Sequence, residues 1–289
     1  MAALEEHFGE ITRRSRLIGI SRWVLESSSR ARTHIAGPRG RKMRFGLVII
    51  GDEILSGKRK DKHFESAVGI LARRGLSVSV AHYLPDDPDI LTATFRRTLE
   101  EDLSIFSYGG IGATPDDHTR QCVARAAGVD LAIHADAKKE IEGQFGSDAY
   151  PHRINMGMFP IGSRIIPNSF NRIPGFSFSN HHFLPGFPSM AWSMMEWVLD
   201  NEYQHFHNFK PDIERSILVI DAPESELIPV MESCIQSYTE CKVFSLPTIT
   251  EDRKRRVELG VRGPSDLADK AIDTIKQEVE ALGFVWKDL

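Results

Sequence analysis

Ser104-Ile105-Phe106-Ser107-Tyr108-Gly109-Gly110-Ile111-Gly112-Ala113-Thr114-Pro115-Asp116-Asp117-His118-Thr119 reads as an apolar strand, a glycine loop and a helix start crowded with carboxylates. Glycines let backbone approach a ligand closely and permit positive φ. Thr114 suits an N-cap, Pro115 the first helical position and Asp117 the third, as in a capping box. A loop at the carboxyl end of a strand is where open α/β sheets bind ligands. Free N–H groups and the helix dipole would attract a phosphate there. Two adjacent aspartates repel a bare phosphate, so a bound cation such as Mg²⁺ is expected to mediate. A purely structural role for Asp116 and Asp117 stays open, since each favours a helix N-terminus by about 0.3–1 kcal/mol. The loop lacks the GK[ST] ending of a P-loop.

Working outward, Phe45-Gly46-Leu47-Val48-Ile49-Ile50 is a short β-rich run of the kind buried on both faces of a sheet. It leads into the polar turn Gly51-Asp52-Glu53-Ile54-Leu55-Ser56-Gly57-Lys58-Arg59-Lys60-Asp61, and apolar residues at Phe64, Val68 and Leu71 then mark a helix. In a parallel sheet both loops face one crevice, so Asp52, Asp61, Asp116 and Asp117 are expected to converge. Strand-like runs at 45–50, 77–83 and 103–108 alternate with helical ones at 64–73, 89–100 and 119–127. That alternation predicts a parallel α/β sheet. A helix is expected over 135–145, functional loops and short strands over 151–188, and a helix over 192–199. After Phe209-Lys210-Pro211 the order becomes strand 216–221, helix 224–238, strands 242–246 and 255–262, and helix 266–282, which suits a small α+β layer.

Gly51-Asp52-Glu53-Ile54-Leu55-Ser56-Gly57 with Asp61, and Gly109-Gly110-Ile111-Gly112-Ala113-Thr114-Pro115-Asp116-Asp117-His118-Thr119, resemble the MoaB/Mog molybdopterin-binding domain. The likeness is closest to the version at the N-terminus of competence/damage-inducible CinA proteins. Ile166-Pro167-Asn168 with Pro174-Gly175, and Leu184-Pro185-Gly186-Phe187-Pro188-Ser189-Met190, resemble that group's later signatures. The resemblance spans about 43–203 and implies a three-layer α/β/α domain. It implies Asp61 and Asp117 as catalytic and metal residues, supported by Asp52, Asp116 and His118. Gly109, Gly110, Gly112, Thr114, Pro185, Gly186 and Pro188 would contact phosphate or ligand. Lys62-His63 stand where the subgroup commonly has Thr-Asn, and Met190-Ala191 where Glu-Met is usual. Asn171 and Ile173 replace small residues before Pro174-Gly175. The phosphate loop is thus preserved while the wall that reads the rest of the ligand is altered.

Composition and charge fit a cytoplasmic globular protein: 41% hydrophobic, 26% charged, net charge −4. That balance gives no electrostatic reason to expect nucleic acid. No apolar run approaches the ~20 residues that span a bilayer. Cys122, Cys234 and Cys241 lack metal-ligand spacing and are expected to be reduced packing residues. Residues 1–42 carry nine Lys/Arg against four Glu and are expected to be a poorly ordered basic extension. The domains are then 43–210, MoaB/Mog-like, and 211–289, similar to the KH-like domain that follows in CinA proteins. Gly260-Val261-Arg262-Gly263 spells a KH GxxG, but between a strand and a helix rather than two helices, so RNA binding is not expected. The sequence stops before the deamidase domain of many CinA proteins, so that activity is not expected either. His181-His182 share no metal if they lie on a strand, where neighbours face opposite ways. Lys58, Arg59, Lys60 and Lys62 read as a solvated run.

Two functions follow from the resemblance. One is Mg²⁺-dependent chemistry: pyrophosphate cleavage of an ADP-ribose-like dinucleotide, or adenylyl transfer to molybdopterin. The other is a carrier or sensor that binds a pterin or nucleotide without turnover. The resemblance also implies a homo-oligomer.

Overall fold

Phe45, Leu47 and Ile49 point to one side of strand β1 (Phe45–Ile50) and Val48 and Ile50 to the other, and all six residues are buried. Period-two alternation with apolar residues on both faces requires a covering layer on each side. The computed structural model, which describes residues 43–208, 212–249 and 255–289, supplies both layers. Helices α2 (His63–Ala72) and α6 (Pro188–Glu202) cover the Phe45 face with Ala67, Ile70, Leu71, Met194, Met195 and Val198. Helices α3 (Pro88–Glu100), α4 (Thr119–Ala127) and α5 (Ala135–Phe145) cover the Val48 face with Leu91, Phe95, Cys122, Val123 and Ala137. The result is the expected α/β/α sandwich. The described residues form two compact units dividing between His207 and Asn208. The expected extension at 1–42 and the Phe209-Lys210-Pro211 boundary lie outside the described residues.

In the first unit, β2 (Val78–Leu84) and β3 (Ser104–Tyr108) flank β1, and the sheet continues through β8 (His181–Leu184), β7 (Gly175–Phe178) and β6 (Arg164–Ile166). β1 is parallel to β2 and β3, and β3 to β8. β7 and β6 run antiparallel to their neighbours, which corrects the expectation of a parallel sheet to a mixed one. The reason is local: β7 and β8 are joined by a tight turn with Ser179 at positive φ, so the chain reverses instead of crossing over. The remaining short strands, β4 (Leu131–Ile133) and β5 (Met158–Pro160), pair with each other.

The order β2-β1-β3 opens a crevice at one edge of the sheet. From β1 the chain passes along α2 to β2 on one side; from β2 it returns along α3 on the opposite face to β3 on the other side. Connections that diverge in this way leave an open cleft beyond the carboxyl ends of β1 and β3. The two loops singled out in the sequence sit at those ends. A four-residue helix, α1 (Asp52–Leu55), occupies the first of them.

His181 and His182 face opposite sides of the sheet, as the strand geometry required. His181 Nε2 bonds Thr98 Oγ1 at 2.8 Å; His182 bonds Ser177 Oγ at 2.8 Å and Tyr203 OH at 2.9 Å. Both are core residues held by these hydrogen bonds.

The second unit is a four-stranded antiparallel sheet in the order β10 (Lys242–Ile249), β11 (Arg255–Gly263), β9 (Ile213–Ile220), β12 (Val285–Asp288). Helices α7 (Glu224–Ser237) and α8 (Ser265–Ala281) cover one face through Leu227, Val230, Ile272, Ile275 and Val279. Gly260 and Gly263 lie within β11, so the GxxG is strand and not an RNA-gripping loop. Gly260 leaves room for the Phe244 ring of the adjacent strand. All three cysteines are free and buried. Among the described residues no helix is long and apolar enough to cross a membrane.

Burial holds His181 down to about 3 and His182 well below its ordinary value, so both are neutral in the folded protein. Unfolded histidines protonate near 6.5. Their contribution to stability is therefore complete above that pH and is lost as pH falls through it, by up to about 1.4 kcal/mol per pH unit for each. Urea unfolding of the first unit should show a lower midpoint at pH 5.5 than at pH 7.5; equal midpoints would contradict neutral burial of the pair.

Candidate functional site

The glycine loop is shaped by its carbonyls. Thr119 at the start of α4 takes two of them: its Oγ1 donates to Gly109 O at 3.1 Å and its N–H to Gly110 O at 3.0 Å. Arg120 takes the third, with Nη1 donating to Ile111 O at 2.5 Å. In a trans peptide the carbonyl of one residue and the N–H of the next point in opposite directions. Anchoring these carbonyls against α4 thus turns the N–H groups of Gly110, Ile111 and Gly112 to the far side. Among the described residues none of those three donates to a protein acceptor. Successive free amides of this kind form an anion-binding concavity.

This arrangement needs glycine at two places. Gly109 has φ 103° and lies so close to β1 that a Cβ would come within 2.8 Å of Ile50 O. Gly110 has φ 69°, and a Cβ there would collide with Thr119 Oγ1. Gly112 is tight for another reason: the Asp117 carboxylate packs on it, 2.5 Å from where a Cβ would stand.

Asp117 does not begin a helix. Its Oδ2 accepts from Thr114 N–H at 2.9 Å and Thr114 Oγ1 at 2.5 Å, while its own N–H donates to Thr114 O at 3.1 Å. These bonds close a turn, and α4 begins only at Thr119. The expectation of Thr114 as N-cap of a helix from Pro115 is corrected accordingly: Thr114 donates its hydroxyl to Asp117 instead of capping with it. Asp116 is exposed, and Asp117 and His118 are half-buried.

Asp61 caps α2, its Oδ1 accepting from His63 N–H at 2.7 Å and its Oδ2 from Phe64 N–H at 3.1 Å. Tyr83 OH, from the carboxyl end of β2, donates to Oδ2 at 2.8 Å. Burial and this carboxylate push the Tyr83 phenol up to about 12. The next links carry Asp61 toward the glycine loop. The His63 ring stacks on Tyr108, the residue before Gly109, with centroids 4.5 Å apart, and its Nε2 meets Gly186 O at 3.1 Å. A carbonyl only accepts, which assigns the proton to Nε2. Burial lowers the His63 pKa, so the ring is neutral. Gly186 in turn lies against Gly109, 3.6 Å from the position of its own Cβ to Gly109 Cα. Gly109 N–H donates to Leu184 O at 3.0 Å. The Asp61 loop, the glycine loop and the Leu184-Pro185-Gly186-Phe187-Pro188 segment therefore share one edge of the sheet.

Asp52 is committed elsewhere. It exchanges hydrogen bonds with Asp86 beyond β2: Asp52 N–H donates to Asp86 Oδ2 at 3.0 Å and Asp86 N–H to Asp52 Oδ1 at 3.3 Å. Burial, and then the charges of Asp52, Glu53 and Asp116, raise the Asp86 pKa. A rim of negative charge thus lies beside the amide concavity. Lys58, Arg59, Lys60 and Lys62 are all exposed.

Beside the outer strand β6 a cavity of about 450 Å³ is lined by Asn168, Arg172, Pro174, Ser193 and Trp197. Asn168 Nδ2 holds Asn171 Oδ1 at 2.7 Å and Ile173 O at 3.0 Å, so the residues that depart from the family pattern build this wall. Arg172 Nε pairs with Glu140 at 2.8 Å at its margin.

Among the described residues no three His, Cys, Asp or Glu side chains cluster to hold a metal. Mg²⁺ does not require such a cage: it keeps several waters and is commonly held by one or two carboxylates and the substrate's phosphates. Asp117 fits that role, since its Oδ1 has no protein donor while Oδ2 has two. Asp61 fits less well, with three donors on its two oxygens.

Sequence reasoning missed Arg120, Tyr83 and Asp86, and met His63 only as a departure from the family pattern. Tyr83 and Asp86 stand at the carboxyl end of a strand, which was the available signal. Arg120 is 4% exposed, and burial pulls its pKa down to about 10, offset in part by Asp117.

The chain matches the family model described as "Probable molybdopterin binding domain" over residues 46–205, more than half its length. It belongs to that family of MoaB/Mog-type domains, and CinA-like proteins are among the relatives it resembles. A protein of Pyrobaculum aerophilum is 27% identical over 212 residues, covering 70% of this chain and 78% of the relative. A CinA-like protein of Geobacter sp. is 29% identical over 161 residues, 53% of this chain but 39% of that longer protein. The solved structure of a protein CinA from Thermoplasma acidophilum, titled as of unknown function, superposes with a TM-score of 0.50 at 28% identity. It covers 55% of this chain and 98% of that one.

The loop geometry makes two glycine substitutions unequal. Gly110→Ala must accept positive φ and displace Thr119 Oγ1, with an expected cost of about 2 kcal/mol. Gly112→Ala meets only the movable end of Asp117 and should cost under about 1 kcal/mol. Urea unfolding of the two variants checks this; equal losses would contradict the anchoring by Thr119.

Proposed function

We propose that this protein binds the phosphates of a pterin or dinucleotide at the glycine loop and performs Mg²⁺-dependent phosphate-ester or pyrophosphate chemistry there. The observation that supports this most is the row of unpaired N–H groups at Gly110, Ile111 and Gly112, beside a carboxylate with an open oxygen. The amides hold phosphoryl oxygens and stabilise charge that builds on them. Asp117, with Asp61, would hold the ion, and Thr114 keeps Asp117 oriented. When bound, the ion polarises a phosphoryl oxygen and makes a hydroxide-like nucleophile from water. His63 and Tyr83 keep Asp61 in place, with Gly186 fixed against Gly109. The cavity at Asn168 and Trp197 takes the heterocycle, Trp197 offering an aromatic surface and Ser193 and Asn168 polar ones. An ADP-ribose-like dinucleotide and molybdopterin both carry the phosphate and flat ring that this layout requires. The protein acts as a homo-oligomer in the cytoplasm, without nucleic acid as partner.

A second reading, a non-catalytic carrier or sensor for the same ligands, is favoured by one observation: three donors already occupy Asp61, leaving it little capacity for an ion.

Incubation with Mg²⁺ and ADP-ribose, or with ATP and a molybdopterin precursor, separates the two. Asn caps a helix about as well as Asp, so Asp61→Asn should fold normally and should reduce turnover at least 100-fold, as should Asp117→Asn. Tight binding with no turnover would leave the carrier. No turnover and no thermal shift with any of these ligands would dismiss both readings.

A further inference from the structure

Arg120 carries a buried charge with no hydrogen-bonded counter-ion. Its side chain is almost fully buried, yet among the described residues it forms no ion pair, and its hydrogen bond goes to a neutral carbonyl, Ile111 O. Burying a cation costs several kcal/mol unless an anion accompanies it. Asp117 is the carboxylate whose field reaches it, but that carboxylate makes no hydrogen bond to Arg120, and its Oδ2 is held by Thr114. Holding a carbonyl would need only a neutral donor, as Thr119 shows at Gly109 and Gly110. Within the folded protein the charge of Arg120 is therefore met only through space, and only in part, by Asp117. That charge lies directly behind the peptide whose N–H, that of Gly112, faces the amide concavity.

We propose that Arg120 is a positioning residue for a bound phosphate: it fixes the Ile111–Gly112 peptide with its N–H outward and supplies from behind the loop the positive charge that the acidic rim withholds. The inference rests on reading the glycine loop as a phosphate cradle, but not on catalysis or on a metal. It assigns to a protein side chain part of the role that the sequence alone gave to a cation. A phosphate then enters without a metal, and Asp117 opposes its binding until an ion neutralises that carboxylate.

The test is calorimetric titration with inorganic pyrophosphate in EDTA, on the full chain, with the thermal midpoint of each variant recorded. Wild type should bind. Arg120→Gln, which keeps a donor without the charge, should bind at least tenfold more weakly, and Arg120→Lys should stay within about threefold of wild type. Asp117→Asn, which keeps an acceptor for Thr114, should bind at least threefold more tightly; if Arg120→Gln does not fold, Arg120→Lys decides, since a loss of tenfold or more despite the kept charge would overturn the proposal. The proposal is overturned if Arg120→Gln matches wild type, if Gln and Lys weaken binding equally alongside a lowered thermal midpoint, or if Asp117→Asn weakens metal-free binding. Wild type that takes up no pyrophosphate overturns it together with the phosphate-cradle reading. Binding as described with no turnover under Mg²⁺ supports the proposal and removes only the enzymatic reading.

Discussion

Three carbonyls held against one helix start define this site. Thr119 and Arg120 anchor Gly109, Gly110 and Ile111, and peptide planarity does the rest by presenting the next three N–H groups outward. Everything else at this edge of the sheet depends on that constraint. Gly109 and Gly110 are glycines because the anchored backbone needs positive φ and leaves no room for a Cβ. Asp117 is folded onto Gly112 and tied to Thr114, so that its free oxygen borders the concavity. His63 brings the Gly186 segment and the Asp61 loop to the same place through Tyr108.

The sheet makes this possible. β1 is buried on both faces, so its carboxyl end is held by two layers of packing, and β3 beside it is equally buried. A loop carried on such strands keeps its backbone orientation without large internal contacts. The departure of the chain to opposite sides after β1 and after β2 opens the crevice that the loop then lines. The antiparallel β7 and β8 add a wall that a purely parallel sheet would have placed elsewhere. The loop before β7 carries Asn168, Asn171 and Ile173, and at Asn171 and Ile173 the sequence differs from the family pattern.

Much of this was readable from the residues. The runs 119–127 and 135–145 are helices with the expected bounds, and β1 matches its apolar run, because periodicity and flanking glycines speak clearly there. The glycine loop and the Asp61 turn were recognisable because the chemistry is concentrated in consecutive residues. Less legible were features set by tertiary contact. Cap signals at Thr114 and Pro115 pointed to a helix start ahead of the periodic run at 119–127, but a Thr114–Asp117 turn takes those groups instead. β12 and the four-residue α1 are too short for periodicity to show. Arg120 is one letter in a helix, and only the fold places it under Ile111. The reversal at β7 and β8 arises from a tight turn whose consequence for strand direction is invisible in hydrophobic pattern.

The central claim concerns backbone amides, and amide resonances report on it most directly. Two-dimensional ¹H–¹⁵N spectra recorded during titration with pyrophosphate should show Gly110, Ile111 and Gly112 moving downfield together and saturating with one affinity. Shifts confined to other residues, with these three unmoved, would contradict the account.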